Sequence, residues 1–149
     1  MSNPQTTSTE PCPAGRVLLA EDDPAMRALL ARRLRRAGFD VIEARNGVEA
    51  LERLAFGWVG TPRIRFDVVV SDVRMPGYDG LNILASLRQT AAHLPIILIT
   101  AFGTTATHAT AARLGAFAIL DKPFDLDHLI ALVEEAARVG TGFTARADQ

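Results

Sequence analysis

After residue 16 the chain alternates five short apolar runs, rich in Val, Ile and Leu, with five longer segments of helical spacing. Runs such as Val68-Val-Val70 and Pro95-Ile-Ile-Leu-Ile99 are continuously apolar rather than alternating with polar residues. A strand of that kind is buried on both faces, which belongs to a parallel sheet with helices on either side. Short connections and right-handed crossovers then leave a three-layer α/β sandwich as the expected architecture. The spacing predicts helices over 24–37, 47–56, 80–91, 104–114 and 125–138, with Gly38 and Gly115 ending the first and fourth.

The ends of these runs carry the chemistry. Val68-Val-Val-Ser-Asp72 delivers one carboxylate to its end, and Pro76-Gly77 turns the chain immediately afterwards. Open α/β sheets bind ligands in the crevice beyond the carboxyl ends of their strands, so Asp72 is the first site candidate. Arg16-Val-Leu-Leu-Ala20 also ends in acid, Glu21-Asp22-Asp23, before Pro24 opens a helix. Asp23 reads as that helix's N-cap, with Pro24 at its first position. Glu21 and Asp22 have no such structural use; adjacent acids at a sheet edge raise each other's pKa unless a cation shares them. Hard oxygen donors without Cys or a neighbouring His favour Mg²⁺ over Zn²⁺. Two further ends bring Thr100, a hydroxyl, and Asp121-Lys122-Pro123, an ammonium. A flavodoxin-like strand order 2-1-3-4-5 makes the first and third strands neighbours and places Asp22 beside Asp72.

Composition limits the partners. The 149 residues suit one domain with a real core, and the net charge of −1 gives no broad attraction to nucleic acid or an anionic membrane. Direct nucleic-acid binding and membrane association are therefore not expected. Residues 1–15 read as a disordered tail without the apolar stretch of a signal peptide, which points to the cytoplasm, and Cys12 in that tail has no role. Residues 140–149 read as a polar tail or the start of a linker, too short to hold a further domain, as in a stand-alone protein or one part of a longer chain.

The set Glu21-Asp22-Asp23, Ser71-Asp-Val-Arg-Met-Pro-Gly77 with Asp79-Gly80, Thr100-Ala101, Gly115-Ala116 and Lys122-Pro-Phe124 resembles the response-regulator receiver domains, those of nitrogen-regulatory sigma-54-type activators above all. The resemblance spans residues 16–139 and rests on five separated motifs in order. It implies that Asp72 accepts a phosphoryl group from a sensor histidine kinase or a histidine phosphotransfer protein, as a signalling step rather than as an enzyme with turnover. It implies Mg²⁺ (or Mn²⁺) held by Asp22, Asp72, the backbone carbonyl of Arg74 and, through water, Glu21. It makes Thr100 and Lys122 the groups that recognise the phosphoryl oxygens, and a cis peptide plausible at Lys122-Pro123. It also implies a downstream effector protein or domain and a dimer linked to phosphorylation.

Two positions depart from the family. The switch position that normally holds Tyr or Phe is Ile119, so switching by an aromatic ring is in doubt. The stretch 57–65, with Trp58, is longer than usual; it is read as folding over the sheet bottom, with a docking patch as the alternative. Arg74 and Phe102 stand where receivers overhang the water path to phosphorus, and are assigned as gates. The segment 103–114, with its four threonines, predicts the softest helix. In the first helix Met26, Leu30 and Leu34 are expected to face the core and the arginines, Arg27 among them, to form a solvated face, which the resemblance implies docks the phosphodonor. His93, His108 and His128 read as surface or cap residues. Of the competing readings, a haloacid-dehalogenase-type phosphatase needs a second Asp at position 74, where Arg stands, and a binding-only pseudo-receiver would have lost the acids or the lysine, all present here.

Overall fold

The computed structural model describes residues 14–55, 65–91 and 93–148, with 140–148 as backbone only. Cys12, most of the N-terminal tail, and the 57–65 stretch apart from Arg65 lie outside the described residues. Five parallel strands, β1 (Arg16–Ala20), β2 (Asp40–Ala44), β3 (Val68–Asp72), β4 (Ile96–Thr100) and β5 (Ala118–Asp121), form one sheet in the order β2-β1-β3-β4-β5. Five helices connect or follow them: α1 (Pro24–Arg36), α2 (Gly47–Ala55), α3 (Gly80–Thr90), α4 (Thr105–Arg113) and α5 (Leu126–Asp148). The flavodoxin-like three-layer fold expected from the apolar runs is the fold observed.

Successive strand residues point to opposite faces, and the sequence fills both. Val17, Leu19, Val68, Val70, Ile97 and Ile99 pack with Leu30 and Leu34 of α1 and Leu129 and Val133 of α5. Leu18, Ala20, Val69, Ile96 and Leu98 pack with Ala50 of α2, Ile83, Leu84 and Leu87 of α3, and Ala111 of α4. Both faces of β3 and β4 are covered, which is why these strands are continuously apolar. Phe117 and Phe124 pack against the first of these cores.

The helix limits mostly follow their local chemistry. Asp23 caps α1 by accepting from Ala25 N–H at 3.2 Å, with Pro24 opening the helix. Asp79 and Asn82 form a reciprocal capping box at the start of α3. Gly38 and Gly115 take positive φ values of 102° and 84° just past α1 and α4. The last helix departs from expectation: the 125–138 prediction ended it before Gly140, but its backbone stays helical to Asp148. An interior glycine costs a helix only about 1 kcal/mol, and no proline follows to stop it. Among the described residues no helix is long and apolar enough to cross a membrane.

Candidate functional site

The sheet ladder continues one residue beyond the strand ends, and this aims the polar side chains. Glu21 N–H donates to Ala44 O (3.1 Å), Val73 N–H to Ile99 O (2.7 Å) and Lys122 N–H to Thr100 O (2.7 Å). Strand pairing sets Ser71 opposite Ala20, Asp72 opposite Ile99 and Thr100 opposite Asp121, so the polar ends share one edge.

At that edge Asp72 is buried, with its Oδ1 accepting from Arg74 N–H (3.1 Å) and its Oδ2 from Lys122 Nζ (3.1 Å). Its backbone is also held: Ser71 Oγ donates to Asp72 O at 2.9 Å, and Gly80 N–H donates to Val73 O at 2.8 Å. A Cβ on Gly80 would stand 2.6 Å from Asp72 O and 3.0 Å from Leu98 Cδ2, so only glycine lets α3 start this close to the acid. Lys122 is joined to Pro123 by a cis peptide bond.

Glu21, Asp22 and Asp72 each bring a carboxylate oxygen to within 4.8 Å of the others, with Asp22 exposed and the other two buried. Glu21 is only 1% exposed, and its Oε2 accepts from Asp23 N–H (3.2 Å). Its Oε1 is buried without a hydrogen-bond partner and lies 3.6 Å from Lys122 Nζ. Burial, aided by the charge of Asp72 and opposed by the Asp23 N–H and Lys122, pushes the Glu21 carboxyl up to about 7. Burial works against the Lys122 ammonium, but the hydrogen bond and charge of Asp72, together with Glu21, outweigh it and hold its pKa above the ordinary value. One lysine thus faces two buried acids, with exposed Asp22 beside them. The orphaned oxygen, the raised Glu21 pKa and the all-oxygen donor set fit a hard divalent cation.

The remaining predicted residues occupy the neighbouring strand ends. Thr100 is 1% exposed, and its Oγ1 accepts from Phe102 N–H at 3.1 Å. Arg74 reaches the site through its backbone N–H while its guanidinium sits over the Phe102 ring, 5.1 Å from the centroid. The two assigned gates therefore touch each other, and Phe102 is 65% exposed. Ile119 is half-buried and packs against the core cluster on the α2, α3 and α4 side of the sheet.

Three contacts were not legible beforehand. Ser71 was quoted only as part of a motif. Arg27, assigned to the solvated face of α1, folds back so that its guanidinium donates to Glu21 O at 2.8 Å and lies 3.4 Å from Glu43. It stands in the first turn of α1, above the end of β1, where the carbonyl and the acid lie within reach of its long stem. His108, read as a surface or cap residue, has Nε2 3.0 Å from Asp121 Oδ1.

Residues 17–134 match the response regulator receiver domain family. The chain belongs to that family. Similar curated receivers include the DNA-binding transcriptional regulator NtrC of Escherichia coli strain K12, 43% identical over 122 residues that cover 82% of this chain. Another is the transcriptional regulatory protein FixJ of Bradyrhizobium diazoefficiens, 38% identical over 127 residues, 83% of this chain and 57% of FixJ. The chain spans about a quarter (24%) of the length of the NtrC relative. Among solved structures, the receiver domain of Francisella response regulator 1452 is 29% identical with a TM-score of 0.73, covering 83% of this chain and 97% of that one. NtrX from Brucella abortus, solved with ATP, is 26% identical with a TM-score of 0.77 over 91% of this chain and 29% of that one. The likeness to NtrC-type receivers read from the motifs is thus the likeness found, and the protein is a two-component signalling protein.

Proposed function

We propose that this receiver takes a phosphoryl group onto Asp72 from a phosphohistidine on a sensor histidine kinase or a histidine phosphotransfer protein. The observation that supports this most directly is the pairing of a buried Asp72 with Lys122 at 3.1 Å, next to acids whose charge one lysine does not balance. Phosphoryl transfer demands an aligned nucleophile and neutralisation of the equatorial oxygens, and little covalent chemistry from the protein. An Asp72 carboxylate oxygen attacks phosphorus as the phosphorus–nitrogen bond of the donor breaks, leaving an acyl phosphate on Asp72 and returning the imidazole. Lys122 moves from the Asp72 carboxylate to a phosphoryl oxygen, keeping one charge-assisted contact throughout. Thr100 hydrogen-bonds a second phosphoryl oxygen.

Asp22, Asp72 and the carbonyl of Arg74 would hold Mg²⁺ (or Mn²⁺), with Glu21 acting through water. The ion, when bound, offsets the charge of the acids and of the incoming phosphoryl group. Arg74 and Phe102 gate water at the mouth. The product state biases α4 and β5, the face offered to a downstream effector protein or domain or to a second copy of the chain. In that response Ile119 moves with the core under Thr100, as it has no ring to present.

Incubation with acetyl phosphate and Mg²⁺, followed by intact-mass and peptide analysis, tests the assignment. One hydroxylamine-labile phosphoryl group at Asp72 is expected, and none on Asp72→Asn. Full labelling of Asp72→Asn would overturn it.

A further inference from the structure

The end of β5 meets α4 through a side-chain pair that phosphoryl chemistry does not require. His108, from the middle of α4, places Nε2 3.0 Å from Oδ1 of Asp121, and Asp121 is joined directly to Lys122. Between them runs the β4–α4 loop. A Cβ on Gly103 would collide with Asp121 Oδ1 and would lie 2.8 Å from His108 Nε2 and 3.0 Å from Thr100 Cγ2. Gly103 therefore packs closely against the pair and against the Thr100 side chain. The same loop is tied to Thr100 by the Phe102 N–H bond to its hydroxyl.

We propose that His108 and Asp121 form a latch that holds α4 and the β4–α4 loop in the arrangement seen here and opposes the shift of Thr100 toward a phosphoryl group on Asp72. Moving Thr100 toward Asp72 would pull on the loop through Phe102 and so on Gly103, which packs against the pair. The latch acts on a helix with little else to hold it, since Ala111 is the one residue of α4 that is fully buried. Both partners are partly exposed, 37% for His108 and 56% for Asp121. A half-exposed side-chain pair is weak, which lets a few charge-assisted phosphoryl contacts outweigh it. Ile119 offers no polar group to link α4 with β5, and the His108–Asp121 pair makes that link. His108 and Asp121 are positioning residues acting through the loop.

The inference rests on Asp72 being the acceptor, and beryllofluoride, a phosphoryl analogue that binds an aspartate carboxylate, tests both. Binding to the full chain with Mg²⁺ is measured by titration for wild type, His108→Ala, Asp121→Ala and the double variant. Removing the imidazole removes positive charge if it removes any, which by itself weakens anion binding; loss of a latch tightens it. The expected result is binding about two- to fivefold tighter in His108→Ala, the range an exposed polar pair spans, and no further gain from His108→Ala once Asp121 is Ala. Unchanged or weaker binding in His108→Ala, or the same gain in the Asp121→Ala background, would overturn the latch while leaving the acceptor in place. Failure of the wild-type protein to bind beryllofluoride at all would overturn the acceptor reading and the latch with it.

Discussion

Two helices on the same side of the sheet differ sharply in how they are held. α3 begins with a reciprocal capping box, starts against the Asp72 backbone at Gly80, and buries Ile83, Leu84 and Leu87. α4 begins with a threonine cap, carries threonines and a histidine along its length, and buries only Ala111. The acid-bearing ends of β1 and β3 belong to the firm half, and Thr100, His108 and Asp121 to the loose one. The contrast separates two demands: a reacting carboxylate needs fixed geometry, and a signal needs an element with a small free-energy gap between two positions.

The contrast can be attacked through packing. Leu84→Ala in α3 should cost about 2–5 kcal/mol by chemical denaturation, as a core leucine lost from a filled site. The parallel truncation in α4, Ala111→Gly, should cost about 1 kcal/mol, little beyond helix propensity. Equal costs would erase the distinction.

The firm half carries its own strain in Glu21, whose carboxyl is raised from 4.5 to about 7 in the fold. A raised acid binds its proton more tightly folded than unfolded, so its contribution to stability is full below pH 4.5 and is lost as pH rises to about 7. In chelator, wild type should lose on the order of 3 kcal/mol across that window relative to Glu21→Gln. Millimolar Mg²⁺ should raise the melting temperature at neutral pH and shrink that difference, and Asp22→Ala should abolish the gain. A parallel pH response in wild type and Glu21→Gln would show that burial of this acid carries no cost.

At the boundary between the halves, Arg74 from the β3–α3 loop covers Phe102 from the β4–α4 loop. Arg74→Ala or Phe102→Ala should speed loss of the phosphoryl group about two- to fivefold, the scale of an exposed cation–π contact, without preventing labelling. Each change should remove the same contact, so the double variant should decay little faster than either single one. Decay at the wild-type rate in both would mean the pair does not gate water.

The sheet and its polar strand ends were legible, and so was the weakness of α4, written in its threonines. Continuous apolar runs that end in Asp72, in Glu21-Asp22, in Thr100 and in Lys122 state both the sheet and the edge where its polar ends gather, because a doubly buried strand leaves ionisable groups to its ends. What was not legible is written in contacts that leave no periodic trace. His108 and Asp121 are thirteen positions apart on a helix and a strand end, and only the crossover brings them together. Arg27 looked like one arginine of a solvated run, since spacing along α1 does not reveal that its stem reaches the end of β1. The extension of α5 to Asp148 was hidden by Gly140 and Gly142, residues that weaken a helix without forbidding it.

Amide hydrogen exchange on the full chain, with Mg²⁺ and with or without beryllofluoride, tests the division most directly. Amides of α4 should exchange much faster than those of α3 before the analogue is added, and its addition should change protection in the β4–α4 loop, α4 and β5 while α3 stays as it was. Equal exchange in the two helices, or a response spread evenly over both, would contradict the account.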